Sequence, residues 1–350
     1  AGRTQKRLAP GQNAAFGGDG YSPDTISSGA SGIGSGTDLF MMKGSTVILA
    51  PGAGNRIIFN GSIADDSAAS IIPAGGTSPV ADGNGAGLTV QDGLVIFNGT
   101  NTYSGQTKIA GGGVLQALDG TGIYYNSNIN LAGGVFQTNG LFNRFVGTQS
   151  NRLQWTADGG FSAQGGSLEV RLANNQTLTW GTNSFVPNGN KLLFGSTSAT
   201  DVVTFDNAIN LNGATRTIFV TANDADFSGA DANTDYAILN GILSNGGLVV
   251  GDSTHTGVLI LNKSNTYTGG TTVNGGILRE SATGYLADSG FLTVDGSTAV
   301  FDLGADHSDT VGTVTLDHGG TLDGSGTSTI TGTGTFEMHD GTVNVFLAGN

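Results

Sequence analysis

Apolar and polar residues alternate near the C-terminus in a pattern that repeats every 22 residues. Blocks starting at Leu292, Val314 and Phe336 each read as a strand, a polar turn and a second strand. Because side chains alternate between the two faces of a strand, Leu292 and Val294 point one way and Thr293 the other. Residues at a fixed spacing then stack into apolar columns: Leu292, Val314 and Phe336 in one, Val294, Leu316 and Met338 in the next. The pattern predicts an all-β parallel β-helix (β-solenoid) with rungs of about 22 residues.

The composition agrees with many strands and turns. Glycine accounts for 61 of 350 residues, more than twice the usual share of about 7%, and it suits turns because it tolerates positive φ. Helix formers are rare, and the only glutamates are Glu169, Glu280 and Glu337. Apolar residues still make up 37% of the chain, which argues against disorder.

A longer similarity joins the two halves of the chain. Residues 93–115 correspond to 257–278, with the match centred on Asn101 and Asn265. The stretch from Asn265 to Leu278 resembles the autotransporter-associated β-strand repeat, also called the passenger-associated transport repeat. The stretch from Asn101 to Leu115 resembles a second, divergent copy.

This resemblance implies a right-handed β-helical passenger, exported and displayed outside a Gram-negative cell. It covers about residues 45–350, which we expect to form one β-helix, whereas residues 1–44 are expected to be an irregular cap or arm. The strand pattern typical of the family's C-terminal translocator barrel is not seen in this chain, so we expect it to be a segment of a longer precursor.

Charge and cysteine content exclude several functions. A net charge of −14 with only 13 basic residues repels phosphate backbones, so no nucleic-acid partner is expected. The absence of cysteine excludes disulfides and thiol-based catalysis. No apolar stretch approaches the ~18 residues of a membrane-spanning helix, so no membrane insertion by this segment is expected.

One segment follows the spacing of a calcium loop. Oxygen ligands fall at positions 1, 3 and 5, a glycine at 6 and an acid at 12. The candidate metal ligands are Asp224, Asp226, Ser228, Asp231 and Asp235. The alternative is a solvated acidic loop between rungs, in which case the chain needs no cofactor.

Three smaller sites have a structural and a functional interpretation. His318 and His339 are expected in turns of successive rungs, where the alternative to exposed turn residues is a zinc pair. Glu169 and Arg171 share a face and predict an exposed ion pair. Tyr103 and Tyr267 occupy the same repeat position and are interpreted as structural covers over the rung edge, with carbohydrate stacking as the alternative. Trp155 and Trp180 are expected to pack inside the coils.

The sequence therefore predicts a non-catalytic structural or adhesive scaffold at the cell surface. Its expected partners are a second copy, bound end to end in a fibre or coat, and a host or surface glycan or protein. The alternative is a β-helical polysaccharide-active enzyme, either a lyase or a glycosidase with two carboxyl groups about 5–9 Å apart.

Overall fold

The computed structural model describes residues 36–42, 44–65, 67, 85–223 and 235–349. The chain divides into two compact units, Ala1–Asn130 with Gln149–Arg152, and Leu131–Thr148 with Leu153–Asn350. The predicted boundary at residue 44 stays a prediction, and the described part of the stretch before it contains one short strand.

The first unit is built from short strands that pair in parallel. Two stacks run through it, β2–β5–β7 and β3–β6–β8, and β1 pairs with β4. Along the second stack Ile57, Val95 and Leu115 are aligned in register. The strands are β1 Leu39–Met41, β2 Thr46–Leu49, β3 Arg56–Phe59, β4 Ile63–Asp65, β5 Gly87–Val90, β6 Leu94–Phe97, β7 Thr107–Ala110 and β8 Val114–Ala117.

The second unit contains most of the remaining strands. The division between the two units falls within two strands, β9 (Ile129–Ala132) and β12 (Arg152–Trp155). No described helix is long and apolar enough to span a bilayer. A short 3-10 turn covers Ala173–Asn175. The strands are β10 Gly134–Phe142, β11 Phe145–Val146, β13 Gly159–Val170, β14 Leu178–Thr179, β15 Leu192–Gly195, β16 Val203–Phe205, β17 Ile209–Thr221, β18 Ala237–Leu239, β19 Leu243–Val250, β20 Val258–Leu261, β21 Thr271–Val273, β22 Gly276–Glu280, β23 Leu292–Asp295, β24 Ala299–Ala305, β25 Ser308–Val311, β26 Val314–Asp317, β27 Gly320–Ser325, β28 Thr329–Gly332, β29 Phe336–Met338, β30 Gly341–Val343 and β31 Phe346–Gly349.

Successive coils of the second unit stack in parallel, as a β-helix requires. One face is the series β15–β17–β19–β21–β23–β26–β29. A second is β16–β18–β20–β22–β24–β27–β30, and a third, shorter face is β25–β28–β31. Strands within each series therefore bond to the coil before and the coil after them, strands at the ends of a series bond on one side, and the predicted parallel β-helix is confirmed.

The predicted apolar columns are present in the predicted register. Leu292 is aligned with Val314, which is aligned with Phe336, and the neighbouring column holds Val294, Leu316 and Met338. The first two coils bury these side chains, whereas Met338, in the last coil, is exposed. The 22-residue rung does not extend to every coil, because Val170 pairs with Phe205, 35 positions further along the chain.

Aromatic side chains fill the wider coils of the second unit. Trp155 packs edge-on against Phe161 and Phe185, and Trp180 also contacts Phe185. Both tryptophans are buried, as their strand pattern predicts, and the Trp155 indole N–H donates to the Gly159 carbonyl at 2.9 Å.

Candidate functional site

The first repeat copy uses its asparagine to join three coils of the first unit. The Asn101 side-chain oxygen accepts the Ile63 N–H at 2.6 Å, and its amide nitrogen donates to the Gly122 carbonyl at 2.7 Å. Asn101 is buried, so both backbone groups would otherwise lack water as a partner. The amide is suited to this position because it is both a donor and an acceptor.

The second copy repeats this arrangement in the second unit. Asn265 accepts the Leu243 N–H at 2.8 Å and donates to the Tyr285 carbonyl at 2.8 Å. A coil outside the repeat uses the same device, since Asn207 accepts the Leu172 N–H at 2.7 Å. We call these three side chains, Asn101, Asn207 and Asn265, the asparagine brackets.

The repeat tyrosines are core residues. Tyr103 and Tyr267 are 0% and 1% exposed, and their hydroxyls bond to Thr107 at 2.7 Å and Thr271 at 2.6 Å. The sequence predicted that these rings cover the edge of the rung. In the structure they lie inside the coil instead. A sugar cannot stack on rings that are this deeply buried, so the carbohydrate alternative finds no support at these positions.

The two consecutive glycines of each repeat copy are required for different reasons. A Cβ on Gly111 or Gly275 would lie 2.3 or 1.9 Å from a backbone oxygen of the coil before. The glycine that follows each of them, Gly112 or Gly276, has a φ of +82° or +70°, which favours glycine. The repeat motif is thus explained by folding, and a ligand site has to be sought elsewhere.

The calcium loop falls largely outside the described residues. Asp224, Asp226, Ser228 and Asp231 all belong to that part of the chain. Asp235 is described and buried, and one of its oxygens accepts the Asn223 N–H at 2.5 Å. The calcium site stays a prediction.

The turn histidines pair with aspartates of the preceding coil. His318 Nδ1 lies 2.6 Å from Asp295, and His339 Nδ1 lies 3.3 Å from Asp317. The hydrogen bond to Asp295 and the negative charge of Asp317 raise the pKa of His318 above its ordinary value of 6.5. Within the described ranges no group of three or more His, Cys, Asp or Glu side chains is placed to hold a metal, so the zinc alternative gains no third ligand there.

A groove on the outer surface of the second unit is the best candidate for ligand binding. It crosses three coils, whose outward residues Leu141, Glu169 and Thr204 are aligned in register. The Leu141 side chain is 51% exposed in it. The volume is about 600 Å³, and the lining residues are Gly140, Leu141, Ser167, Leu168, Glu169, Arg171, Thr204, Asp206 and Asn240.

Arg171 organises the charges of this groove. Its guanidinium contacts Glu169 in the same strand region, the ion pair that the sequence predicts, and also Asp206 at 3.2 Å. Asp206 lies 35 positions from Arg171, and nothing in the sequence indicated that a coil of this length would bring it there. Two carboxylates around one guanidinium leave the network with one net negative charge.

A chain of hydrogen bonds continues from this network along the coils. Asn240 donates to Asp206 at 2.9 Å, and Asn262 donates to Asn240 at 2.8 Å. Ser281 then donates to Asn262 at 2.6 Å. Neighbouring strands are about 4.8 Å apart, so the ladder presents one polar group per coil at a regular spacing.

The Asp206 carboxylate in the groove is held in the ionised form. Burial alone would raise the pKa of Asp206, but hydrogen bonds from Asn240 and Arg171 together with the Arg171 charge lower that pKa below its ordinary value of 3.8. The groove can therefore accept hydrogen bonds from hydroxyl groups at neutral pH, and Arg171 and Asn240 add donors.

Comparison with known proteins places the chain in a class. The model of the passenger-associated transport repeat matches residues 91–117 and 254–279. Adhesin BmaC autotransporter of Brucella suis biovar 1 (strain 1330) is 28% identical over 311 residues, which cover 76% of this chain and 9% of that protein. No solved structure matches the chain.

Fold, repeats and relative agree on the class of protein. The parallel β-helix and its two repeat copies are those of an autotransporter passenger, and that recognition is confirmed. Export to the surface of a Gram-negative bacterium is confirmed with it. The chain spans only 9% of the length of its relative, so the ligand and assembly of the whole protein are matters for proposal.

The asparagine brackets give a direct stability prediction. Replacing Asn265 by Ala leaves the buried Leu243 N–H without a partner, which should lower the free energy of unfolding by about 1–3 kcal/mol. Chemical denaturation of the full chain measures this. Asn274→Ala, at an exposed position of the same repeat, is the control and should change it by less than about 0.5 kcal/mol. Equal losses for both variants would contradict the bracket role.

Proposed function

We propose that this passenger is a non-catalytic adhesive scaffold whose groove around Arg171 binds a neutral glycan. The observation that carries the proposal is the open, polar groove across three coils, held in shape by the Arg171 network. The similar Brucella protein is named an adhesin, which supports an adhesive role for this chain as well.

The chemistry of the groove favours hydroxyl-rich, uncharged ligands. Glu169 and Asp206 offer acceptors to sugar hydroxyls, and Arg171 and Asn240 lie beside them as donors. The exposed Leu141 provides an apolar surface for the C–H face of a sugar ring. Sulfated or carboxylated glycans would meet a net negative charge, in a chain with an overall charge of −14, so they are disfavoured.

A binding role fits the groove better than hydrolysis does. A glycosidase needs one carboxyl group with a raised pKa as its acid. In the groove the pKa of Asp206 is lowered, and Glu169 is bound to the same guanidinium. The carboxyl groups with raised pKa values, Glu280 and Asp309, are buried where a polysaccharide cannot reach them.

The test is binding of the full chain to a panel of neutral and acidic oligosaccharides. We expect binding to neutral members, and Arg171→Ala should weaken it about tenfold or more because the network that orients both carboxylates is lost. Titration calorimetry with the best neutral oligosaccharide gives the Kd.

Arg279→Ala is the matched control, because Arg279 forms a similar ion pair with Asp302 at 2.6 Å outside the groove. Its Kd should equal that of the wild type. Binding restricted to acidic glycans or to proteins, or an equal loss in both variants, would contradict the proposed site.

We also propose that this 350-residue segment, taken by itself, associates with a second copy through the coil formed by β29, β30 and β31. In this coil each strand pairs with one neighbour among the described residues. Its exposed apolar side chains are Met338, Val343, Phe346 and Leu347. Parallel coils stack head to tail, and such a contact builds open filaments instead of closed dimers.

Sedimentation velocity over a range of concentrations tests this assembly. We expect larger species at high concentration, and Phe346→Glu should abolish them because it puts a charge on the contact surface. Leu118→Glu, a change at an exposed leucine of the first unit, should leave the distribution unchanged. A monomer at all concentrations, or the same effect from both variants, would reject self-association.

A further inference from the structure

Two carboxyl groups are buried in the last coils at positions where other coils are apolar. Glu280 is aligned in register with Leu261, and Leu261 is aligned with Leu239. Asp309 is aligned with Ile330. The two acids are 1% and 3% exposed. Burial of an ionised carboxylate is costly unless a positive charge or a proton compensates it.

Both acids accept the same backbone N–H. Leu286 N lies 2.8 Å from Glu280 Oε1 and 2.8 Å from Asp309 Oδ2. The second oxygen of Glu280, Oε2, is buried and has no hydrogen-bond partner among the described residues. An ionised Glu280 can only accept hydrogen bonds, and its Oε2 then has no donor. A protonated Glu280 can instead donate a hydrogen bond to Asp309.

Among the described residues, no neighbouring group supplies a positive charge to the pair. Arg279, the residue before Glu280, is bound to Asp302 at 2.6 Å. Burial and the charges of the two acids raise the pKa of the neighbouring Tyr267, so that it is neutral at ordinary pH, and the negative charge of Asp288 raises the pKa of Asp309 further. Two like charges held this close in the interior cannot both persist.

Asp309 occupies the place of an asparagine bracket. Ser308-Asp309-Thr310 matches Ser264-Asn265-Thr266, and both central side chains accept an N–H from the preceding coil. The segment that starts there resembles a third, degenerate copy of the repeat, although it lies outside the residues that the family model matches. A carboxyl group reproduces the acceptor and donor of an asparagine amide only when it carries a proton.

We propose that Glu280 and Asp309 form a buried site that binds one proton at neutral pH and so completes the corner of this third copy. The proton lies between Glu280 Oε2 and the Asp309 carboxylate, and the single remaining negative charge is stabilised by the Leu286 N–H. Binding consumes one proton from solvent and makes no covalent change beyond the O–H bond. At alkaline pH the proton leaves, and the two charges push the corner apart.

The electrostatics agree with this geometry. Burial and, after it, Asp309 raise the pKa of Glu280 from 4.5 to about 10, and burial also raises the pKa of Asp309. Because the folded form holds the proton more tightly than the unfolded form, the stabilisation is complete below pH 4.5. It is lost progressively as the pH rises through about 10.

Infrared difference spectra of the full chain at pH 7 test the site. We expect the carbonyl band of one protonated carboxyl group in the wild type, which both Glu280→Gln and Asp309→Asn remove. Asparagine is the native residue at the bracket positions, so Asp309→Asn should fold. The exposed Glu337→Gln and Asp340→Asn are the matched controls, and they should keep the band.

Thermal melting at pH 6 and pH 9.5 gives a second measurement. Between pH 6 and pH 9.5 the melting temperature of the wild type should fall by about 3 °C or more beyond any fall seen in the double variant Glu280→Gln/Asp309→Asn. No protonated carboxyl at pH 7, or equal pH dependence in the double variant, would overturn the proposal. So would a melting temperature that falls with a chelator in the wild type but not in the double variant, because the pair would then hold a metal ion.

Discussion

Parallel backbone hydrogen bonding between successive coils decides which side chains can meet in this molecule. In the second unit most strands bond to the strand of the coil before and to that of the coil after, so a residue's neighbours are fixed by register. Apolar residues then collect in columns inside, and polar residues form rows outside. At the corners the ladder is interrupted, and the asparagine brackets supply the missing hydrogen bonds. The core, the groove and the buried acid pair all depend on this register.

The sequence predicts this architecture where the spacing is regular. The 22-residue period aligned Leu292, Val314 and Phe336 before any coordinates, because a strand turns every second side chain inward. Only part of the groove could be predicted from the sequence. Glu169 and Arg171 are two residues apart, whereas Asp206 reaches them through a coil whose length no local pattern indicates. The sequence analysis also did not predict the burial of Glu280. An acidic residue is not expected in a column that is apolar in the coils before it.

Acidic residues have two different roles in the same fold. At the groove, Asp206 and Glu169 both contact Arg171 near the surface, and the hydrogen bonds and positive charge around Asp206 lower its pKa, so this carboxylate stays charged. At the inner corner, Glu280 and Asp309 are buried with no cation beside them in the described part of the chain, and in our proposal a proton takes the place of the missing charge. For a surface passenger, our proposals give the first arrangement a role in recognition outside the coils and make the stability of the last coils depend on pH through the second.

Engineered disulfides test the stacking of coils most directly, because the chain has no cysteine of its own. Thr293 and Thr315 are partners in adjacent coils, and Glu337 is aligned one coil further. Partner Cα atoms about 4.8 Å apart lie within disulfide range, and atoms two coils apart do not. The account predicts that oxidation of Thr293→Cys/Thr315→Cys forms an intramolecular disulfide and that Thr293→Cys/Glu337→Cys does not. A disulfide in the second variant, or none in the first, would contradict it.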